Sequence, residues 1–341
     1  MTTASAESPP RAAAQPSPQS SDLISVVVVF WNGRDQVAPF FSAIEAAKKT
    51  LPYPLEVIAV DNASEDGTAA AIARQAPWTA LVENAGNEGF AGGCNRGLEA
   101  ARGQWLLLLN PDCEANAEAL AGMVDYLKSH PSAGAVGPLL LHEDGLPQHS
   151  AHREPSWQSY WATHSLASPW IETLGKRLWK LGLRRRQPRA VGWLMGACLM
   201  VRRECRERVG DLHEAYFMYS EDADWCHRIR DAGWRTVFLP GLTLPHGGGV
   251  SAKKRREFTF RRLYRSLILY SRRHHSAGQN LALRISIALD LWLRLPIYRA
   301  QGDLDRLAST RAVLAMVRAN DPELALEAEA PRPAKKPKRK R

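Results

Sequence analysis

Paired cysteines are missing from this sequence. Its five cysteines stand at positions 94, 113, 198, 205 and 226, and none forms a Cys-x-x-Cys pair. This absence excludes zinc knuckles and thioredoxin-like redox chemistry. Isolated cysteines fit a reducing cytosol, and the N-terminus shows no basic segment followed by an apolar core, so no secretory signal is visible. We therefore expect a cytoplasmic protein.

Long uninterrupted apolar runs are also missing. The most apolar part of the predicted helical stretch Arg255–Tyr298 is Leu281–Leu295, and Arg284, Asp290 and Arg294 interrupt it. The uncharged pieces are too short to span a bilayer. On a helical wheel the three charges gather within about a third of the circumference, which leaves a wide apolar face. We expect that face to pack on the domain, with a partner protein or a membrane surface as alternatives.

Several common catalytic motifs are absent. There is no Gly-x-Ser-x-Gly elbow and no Gly-x-x-x-x-Gly-Lys-Ser/Thr loop, which excludes the usual hydrolase and P-loop classes. The turn after the first predicted strand is Trp31–Arg34 and lacks the dinucleotide fingerprint. A nicotinamide-dependent enzyme is therefore disfavoured.

Acidic residues are missing from the last eleven positions, Pro331–Arg341, which hold seven Lys and Arg. The net charge of +10 falls to +3 without them, so most of the basicity is a tail and nucleic acid is disfavoured as a partner. We expect a solvated tail. The alternative is attraction to an anionic membrane, worth roughly 1 kcal/mol per basic residue. Residues 1–21 are rich in Ala, Ser, Pro and Gln and are expected to be disordered.

Strand-like and helical segments alternate through the first 112 residues. The predicted strands are Leu23–Phe30, Leu55–Val60, Ala80–Val82 and Trp105–Leu109, and the predicted helices are Val37–Lys49, a helix ending near Gln75, and Leu98–Arg102. This order predicts an α/β protein with a mostly parallel sheet. Later segments predict helices over 117–129 and 222–232 and strands over 136–141, 191–202 and 234–239, with an irregular acceptor-facing insertion at 142–190.

The four leucines after Trp105 are typical of a strand buried on both faces at the centre of a parallel sheet. Pro111 ends the strand, because proline cannot donate to a strand ladder. Asn110 and Asp112 are thereby placed at the carboxyl end of a central strand, where open α/β sheets bind ligands. Oxygen ligands there suit a hard divalent cation on a diphosphate. The alternative is a simple helix N-cap.

Other polar residues have similar alternatives. Asp61 ends the second strand and could accept a hydrogen bond from a ribose or a base, or could only form a turn. The acids of Glu221–Asp224 could supply a general base, or could only favour the helix dipole. Spacing does not choose among the three acids. His246 could bind a metal or phosphate, or could be structural.

Seven segments occur in one order: Ser25–Asn32, Val60–Gly67, Asn87–Gly97, Leu109–Asp112, Gly196–Ala197, Phe217–Asp224 and His246–Ser251. In this order they resemble a family 2 glycosyltransferase of the GT-A fold. The Leu-Asn-Pro-Asp form resembles the bacterial rhamnosyltransferase-like branch. The resemblance covers about residues 23–270, and it implies a GT-A domain over 22–252, with a nucleotide-binding half over 22–112 and an acceptor half over 113–252. A helical region over 253–328 and a polybasic tail over 329–341 would follow.

The resemblance implies inverting transfer of a sugar from a nucleoside-diphosphate sugar, with Mg²⁺ or Mn²⁺ as the divalent cation. The acceptor would be a hydroxyl of a cell-surface polysaccharide or a lipid-linked oligosaccharide, and the branch favours rhamnose. Contact with the inner face of the plasma membrane would run through the C-terminal helix and the basic tail. A catalytically weak scaffold, or an anionic-surface or nucleic-acid binder acting through the tail, is the alternative.

The resemblance also implies residue roles. Asp222 would be the general base and Glu221 would orient it or the acceptor. Asp112 and His246 would hold the metal. The donor nucleotide would contact Asp61, Asn32, Asn62, Ser64, Asn87, Gly89, Phe90, Asn95 and Asn110, and the acceptor side would include Trp193, Gly196 and Ala197.

Two positions depart from the family pattern. Asn110 replaces the first Asp of the Asp-x-Asp metal motif, which puts metal affinity in question. Leu212–His213 stand where relatives often have Phe-Asp, which bears on the loop before Tyr216.

Overall fold

The computed structural model describes residues 22–165, 168–180, 187–247 and 256–324. The expected tails over 1–21 and 329–341 lie outside these residues, as do 248–251 of the last motif and the 252/253 boundary. The domain limits therefore stay predictions.

Ten strands form the sheets among the residues that the structure describes. They are β1 Ile24–Phe30, β2 Leu55–Asp61, β3 Ala80–Glu83, β4 Trp105–Leu109, β5 Ala133–Leu141, β6 Ala151–His152, β7 Arg189–Ala190, β8 Trp193–Leu194, β9 Cys198–Arg202 and β10 Arg235–Pro245. Eight of them form one sheet in the order β3-β2-β1-β4-β9-β5-β10-β7. β9 and β7 pair antiparallel with their neighbours, and the other pairs are parallel. The predicted mixed, mostly parallel sheet is confirmed.

Eleven helices flank the strands in the described part of the chain. They are α1 Arg34–Lys48, α2 Thr68–Gln75, α3 Gly89–Ala100, α4 Ala117–Ser129, α5 Trp157–Thr163, α6 Ser168–Lys180, α7 Arg203–Val209, α8 Glu221–Asp231, α9 Arg256–His274, α10 Ala277–Ala300 and α11 Leu304–Ala319. A short 3₁₀ helix spans Glu214–Tyr216.

The leucine strand β4 lies at the middle of the sheet, between β1 and β9. Leu107 and Leu109 belong to the core on one face of the sheet, and Leu106 and Leu108 belong to the core on the other. All four are at most 2% exposed, and burying each contributes roughly 1.5–3 kcal/mol. The strand ends at Leu109, as the proline at 111 predicts.

Three local predictions were wrong. The glycine-rich stretch is helical from Gly89 and was not expected to be helical before Leu98. Packing explains this helix, because a Cβ on Gly97 would lie 2.3 Å from Val27 Cγ1 of β1. The 142–190 stretch contains α5 and α6. The strand predicted over 234–239 continues as β10 to Pro245. Its pairing with β5 shifts register between Leu239 and Thr243 and then continues.

Helices α9, α10 and α11 pack around a separate apolar cluster that includes Leu283, Ile287 and Leu291 of α10. Arg284, Asp290 and Arg294 of α10 are buried or half-buried on this protein side. Asp290 is fully buried and accepts hydrogen bonds from the Tyr160 hydroxyl and the Arg294 guanidinium. The predicted packing on the domain is therefore made by one apolar side of the helix, whereas a second apolar side, which includes Leu281, Leu289 and Trp292, stays exposed.

Among the described residues, no helix is both long enough and apolar enough to cross a membrane.

Candidate active site

One cavity of about 770 Å³ opens at the carboxyl end of the central strands. Twelve of the sixteen residues expected at the site line it. They are Asn62, Asn87, Gly89, Phe90, Asn110, Asp112, Trp193, Gly196, Ala197, Glu221, Asp222 and His246. Segments far apart in sequence therefore meet at the sheet edge where α/β proteins bind ligands.

The cavity depends on a strained loop between the 3₁₀ helix and α8. Phe217, Tyr219 and Ser220 all have positive φ, which costs on the order of 1–3 kcal/mol per residue. The Phe217 carbonyl oxygen accepts a hydrogen bond from the Phe90 backbone N–H at 2.6 Å. Gly89 has φ +75°, and a Cβ there would lie 2.3 Å from that same oxygen. Only glycine lets the start of α3 approach this loop.

The acidic pair Glu221 and Asp222 lies at the N-terminus of α8, inside the cavity. Burial raises the pKa of Asp222 to about 6, although the N–H groups of Gly196 and Ala223 donate to its carboxylate at 2.9 and 2.8 Å. Burial and the neighbouring Asp222 carboxylate raise the pKa of Glu221 well above its usual range. Because two buried like charges repel, only one member of the pair ionises readily, and the two N–H donors favour the charge on Asp222.

Asp224, the third acid of the cluster, faces away from the cavity. It is fully buried and accepts hydrogen bonds from Tyr216, Arg228 and His274. Burial alone would raise its pKa, but the hydrogen bonds from His274 and Arg228 lower it to about 2. Asp224 therefore anchors α8 to α9, which leaves Glu221 and Asp222 as the acids of the cluster that line the cavity.

A second pair, Asp112 and His246, consists of the two residues that the sequence predicts as metal ligands. Backbone hydrogen bonds join their loops, including Gly247 N–H to the Asp112 carbonyl oxygen at 2.9 Å. His246 Nε2 lies 3.2 Å from Asp112 Oδ1, and both side chains are at most 10% exposed. With Cys113 they form a group whose ligand atoms lie within 4.8 Å of one another. The Cys113 thiol donates to the Ala197 carbonyl oxygen, so it is a poorer ligand than the other two.

Gln148 fixes the hydrogen on His246. Its amide nitrogen faces the carbonyl oxygens of His246 and Leu141 at 2.6 and 3.4 Å, so its amide oxygen is the atom 2.7 Å from His246 Nδ1. Nδ1 must then carry the hydrogen. The lone pair on His246 Nε2 then faces the Asp112 carboxylate. Both groups are hydrogen-bond acceptors, so their approach is favourable only with a proton or a cation between them. The donor set therefore fits a divalent metal.

On the donor side, Asn62 organises the turns. Its amide nitrogen donates to Asn87 Oδ1 and the Gly89 carbonyl oxygen, and its oxygen accepts from Asn84 and Glu88. This buried hub holds the start of α3 against the end of β2. The fully hydrogen-bonded amide indicates a positioning role more than direct recognition.

Four expected site residues do not line the cavity. Asn32 and Ser64 hydrogen-bond the first and second turns together. Asn95 uses its amide on Leu212 and Glu214. Asp61 is 4% exposed, accepts from the Ser64 N–H, and keeps Oδ1 without a hydrogen-bond partner among the described residues. Of the three carboxylates expected at the site, Asp112 and Asp222 line the cavity and Asp61 does not.

Several cavity residues carried no sequence signal. Gln148, His152 and Tyr160 come from the 142–190 stretch, which shows no recognisable motif. His152 stacks on Trp193 with ring centroids 4.1 Å apart, and burial lowers its pKa to about 4. A flat, neutral aromatic surface therefore forms one wall. The pairing of β6 with β8 creates it, and only the folded chain shows that pairing.

The departure at Leu212–His213 has a local explanation. Leu212 is 3% exposed within the core, and His213 Nδ1 accepts from the Ala215 N–H at the start of the 3₁₀ helix. The His213 ring thus takes the capping role that an acid can play. Arg273 of α9 contacts its other nitrogen.

Comparisons with known proteins agree with this geometry. The family model described as "Glycosyl transferase family 2" matches residues 25–227. The N-acetylglucosaminyl-diphospho-decaprenol L-rhamnosyltransferase of Mycobacterium tuberculosis (strain ATCC 25618 / H37Rv) is 29% identical over 289 residues, 80% of this chain and 92% of that protein. Rhamnosyltransferase WbbL of Escherichia coli (strain K12) is 26% identical over 145 residues, 42% of this chain and 52% of that protein.

The fold is likewise similar to a solved structure. The mannosyltransferase PcManGT from Pyrobaculum calidifontis, in complex with GDP-Man and Mn²⁺, superposes with a TM-score of 0.52 at 21% identity, covering 92% of this chain and 81% of that one. The expected GT-A fold is confirmed. Because the family model spans more than half of the chain, the protein belongs to glycosyl transferase family 2, and its relatives include rhamnosyltransferases.

Proposed function

We propose that the protein is an inverting glycosyltransferase that moves a sugar from a nucleoside-diphosphate sugar to an acceptor hydroxyl. The main support is that one cavity contains both the Glu221–Asp222 pair and the Asp112–His246 pair. The first pair can accept a proton and the second can hold a divalent cation. A metal-assisted displacement at a diphosphate sugar uses both functions.

Asp222 is proposed as the general base. Its pKa of about 6 leaves it ionised at neutral pH yet still basic, which suits proton transfer. It takes the proton of the acceptor hydroxyl as that oxygen bonds to the anomeric carbon. The bond from that carbon to the diphosphate breaks, and the diphosphate leaves with the electron pair. Attack opposite the leaving group inverts the anomeric centre. Protonated Glu221 can donate a hydrogen bond within the same pocket.

Asp112 and His246 would hold the divalent cation. When bound, Mg²⁺ or Mn²⁺ would stabilise the charge that develops on the leaving diphosphate without a proton transfer. Asn110 lines the cavity beside Asp112, and as a neutral oxygen donor it would leave the site one negative charge short of the Asp-x-Asp pattern. We therefore expect a weaker metal site than a two-carboxylate motif gives.

The donor nucleotide would lie against the turns at the ends of β1 and β2. The buried Oδ1 of Asp61 would gain a partner from a base N–H, which would remove the cost of an unsatisfied carboxylate oxygen. Rhamnose is the favoured sugar, with dTDP-rhamnose as its donor, because both named relatives are rhamnosyltransferases.

The acceptor would enter over the Trp193–His152 stack. Aromatic faces of this kind can pack against the apolar face of a sugar ring. The Mycobacterium relative is named for an N-acetylglucosaminyl-diphospho-decaprenol acceptor, so a lipid-linked diphosphoryl sugar is the acceptor class that we propose.

The test is a donor screen on the purified chain. dTDP-rhamnose, UDP-hexoses and GDP-mannose are each incubated with an N-acetylglucosaminyl-diphosphoryl lipid, with and without Mn²⁺. We expect Mn²⁺-dependent consumption of dTDP-rhamnose and, by NMR, a product with inverted anomeric configuration. Asp222→Asn should lower turnover roughly 10²-fold or more while keeping donor affinity.

Two results would contradict the proposal. Near-normal turnover by Asp222→Asn would remove that residue from the role of base. Binding of nucleotide and Mn²⁺ without consumption of any donor would favour the catalytically weak scaffold. Asp112→Ala serves as the complementary variant, because it should weaken metal-dependent donor binding.

A further inference from the structure

Helix α10 presents an apolar face to solvent. Between Gln279 and Arg299, every exposed residue of this helix is apolar. The large ones are Leu281, Ile285, Leu289, Trp292, Leu293 and Ile297, which are 41–71% exposed. Their spacing of three and four residues places them along one side of the helix. The row is about 24 Å long at the rise of an α-helix.

The polar residues of α10 between Gln279 and Arg299 are buried or half-buried. Arg284 donates to the carbonyl oxygens of Val317 and Arg318, and Arg294 donates to Asp290 and to the His164 carbonyl oxygen. These bonds fix the rotation of the helix about its axis, so its outward apolar face is a fixed property of the fold. An exposed face of this size on a protein usually marks a binding surface.

We propose that this face of α10 docks into the headgroup–acyl boundary of a bilayer rich in anionic lipid. A row of leucine and isoleucine with a tryptophan is the composition of interfacial helices. Charge complementarity favours anionic lipid, because residues 256–324 hold 12 arginines against six acids and the sequence continues into the seven basic residues of 331–341. The same positive charge opposes pairing of this face with a second copy of the chain.

A neighbouring helix adds a second apolar element. Trp170 and Leu174 lie one turn apart on α6 and are 80% and 58% exposed. α6 begins at Ser168, four residues after His164, whose carbonyl oxygen Arg294 of α10 contacts. We include Trp170 and Leu174 in the proposed docking surface. Tryptophan is favoured at this depth because its ring is apolar and its N–H is polar.

The helix that carries the docking face also borders the active-site cavity with its buried side. Leu283, on the protein side of α10, lines the same cavity as Asp222, and so do Tyr160 and His164. A lipid-linked acceptor in the docked bilayer would therefore have its sugar end near the base. This last step rests on the proposed function, whereas docking itself rests on the exposed face and the charge alone.

The test measures vesicle binding of the full chain without donor or acceptor. Vesicles of phosphatidylcholine, and of phosphatidylcholine mixed equally with phosphatidylglycerol, are sedimented with wild type and with Leu289→Glu and Trp292→Gln. Wild type should bind the anionic vesicles. Leu289→Glu should lower the partition coefficient about 10-fold or more, because a charge placed in the boundary is costly. Trp78→Gln is the matched control, since Trp78 is 40% exposed next to α2.

The outcomes separate the alternatives. Wild type that does not bind anionic vesicles, or Leu289→Glu that binds as well as wild type, would overturn the proposal. Self-association in sedimentation velocity that Leu289→Glu abolishes, without vesicle binding, would assign the face to a second copy. If deletion of 331–341 abolishes vesicle binding and Leu289→Glu leaves it unchanged, the binding belongs to the tail and not to α10. Asp222→Asn should bind vesicles like wild type, so failure of docking and failure of catalysis are distinguishable.

Discussion

Replacing Gln148 by leucine should weaken metal binding although Gln148 is not itself a proposed ligand. In the native protein the Gln148 amide oxygen accepts the hydrogen of His246 Nδ1 at 2.7 Å. Leucine removes that acceptor. The neutral imidazole can then move its hydrogen to Nε2, which donates to Asp112 Oδ1 across the present 3.2 Å separation. His246 and Asp112 would then hydrogen-bond each other, and a metal would have to break that bond in order to bind.

The expected loss of metal affinity can be estimated from hydrogen bonds that orient histidine ligands in other metal sites. Loss of the hydrogen bond that orients a histidine ligand typically costs 10- to 100-fold in metal affinity, or about 1.4–2.7 kcal/mol. The amide also holds the backbone at His246 through a 2.6 Å hydrogen bond, so we expect the upper half of this range. His246→Ala, which removes the ligand, should cost at least as much.

Titration of free Mn²⁺ by electron paramagnetic resonance measures this affinity directly, without donor, acceptor or turnover. Gln36→Leu is the matched control, because Gln36 on α1 lines the same cavity and should leave the dissociation constant unchanged. The reasoning would be refuted by a Gln148→Leu protein that binds Mn²⁺ within about twofold of wild type while His246→Ala binds poorly.

Three further predictions use other parts of the site. Because burial raises the pKa of Asp222 to about 6 and its ionised form is the base, kcat/KM should rise with pH through about 6 and then level off, and a profile flat from pH 5 to 8 would contradict this. Gly89→Ala should lower the unfolding free energy in urea by more than Gly67→Ala, since both have positive φ but a Cβ at Gly67 meets nothing within 4 Å. Asp224, whose folded pKa is lowered to about 2, should contribute stability that is full above pH 4 and is lost as the pH falls toward 2. Asp224→Ala should therefore destabilise by about 3 kcal/mol at pH 7 and less at pH 3.

The sequence alone predicted the ligand edge of the sheet well. Local chemistry decides where a strand ends: Pro111 stops β4, and the polar residue after it then lies at the carboxyl edge. The acidic cluster was located by its helix start. The sequence did not predict which acids of the cluster face the cavity. Asp224 differs from Asp222 only in its contacts with Tyr216 and His274, which belong to other elements.

Other parts of the site could not be read from the sequence. Gln148 and His152 act through partners 98 and 41 positions away, and no periodicity marks such residues. Glycines 89 to 97 have low helix propensity, yet they are helical because the bare helix surface fits against Val27 and Val29 of β1. Asn95 was predicted to contact the donor nucleotide because it lies within the Asn87–Gly97 motif, but it does not line the cavity. Its amide is used by a loop 117 residues further on.

Helix α10 shows why hydrophobic pattern predicts amphipathicity but not orientation. A helical wheel of Leu281–Leu295 has a charged side and an apolar side, and the usual assumption directs the apolar side inward. The assumption fails here because two surfaces of the helix are apolar, and only one of them can pack on α9 and α11. Asp290 decides which one, since a buried carboxylate needs its partners and finds them in Tyr160 and Arg294. Turning the helix over would break those bonds and would also expose Leu283, Ile287 and Leu291 of the packed cluster, so the outward apolar face is retained.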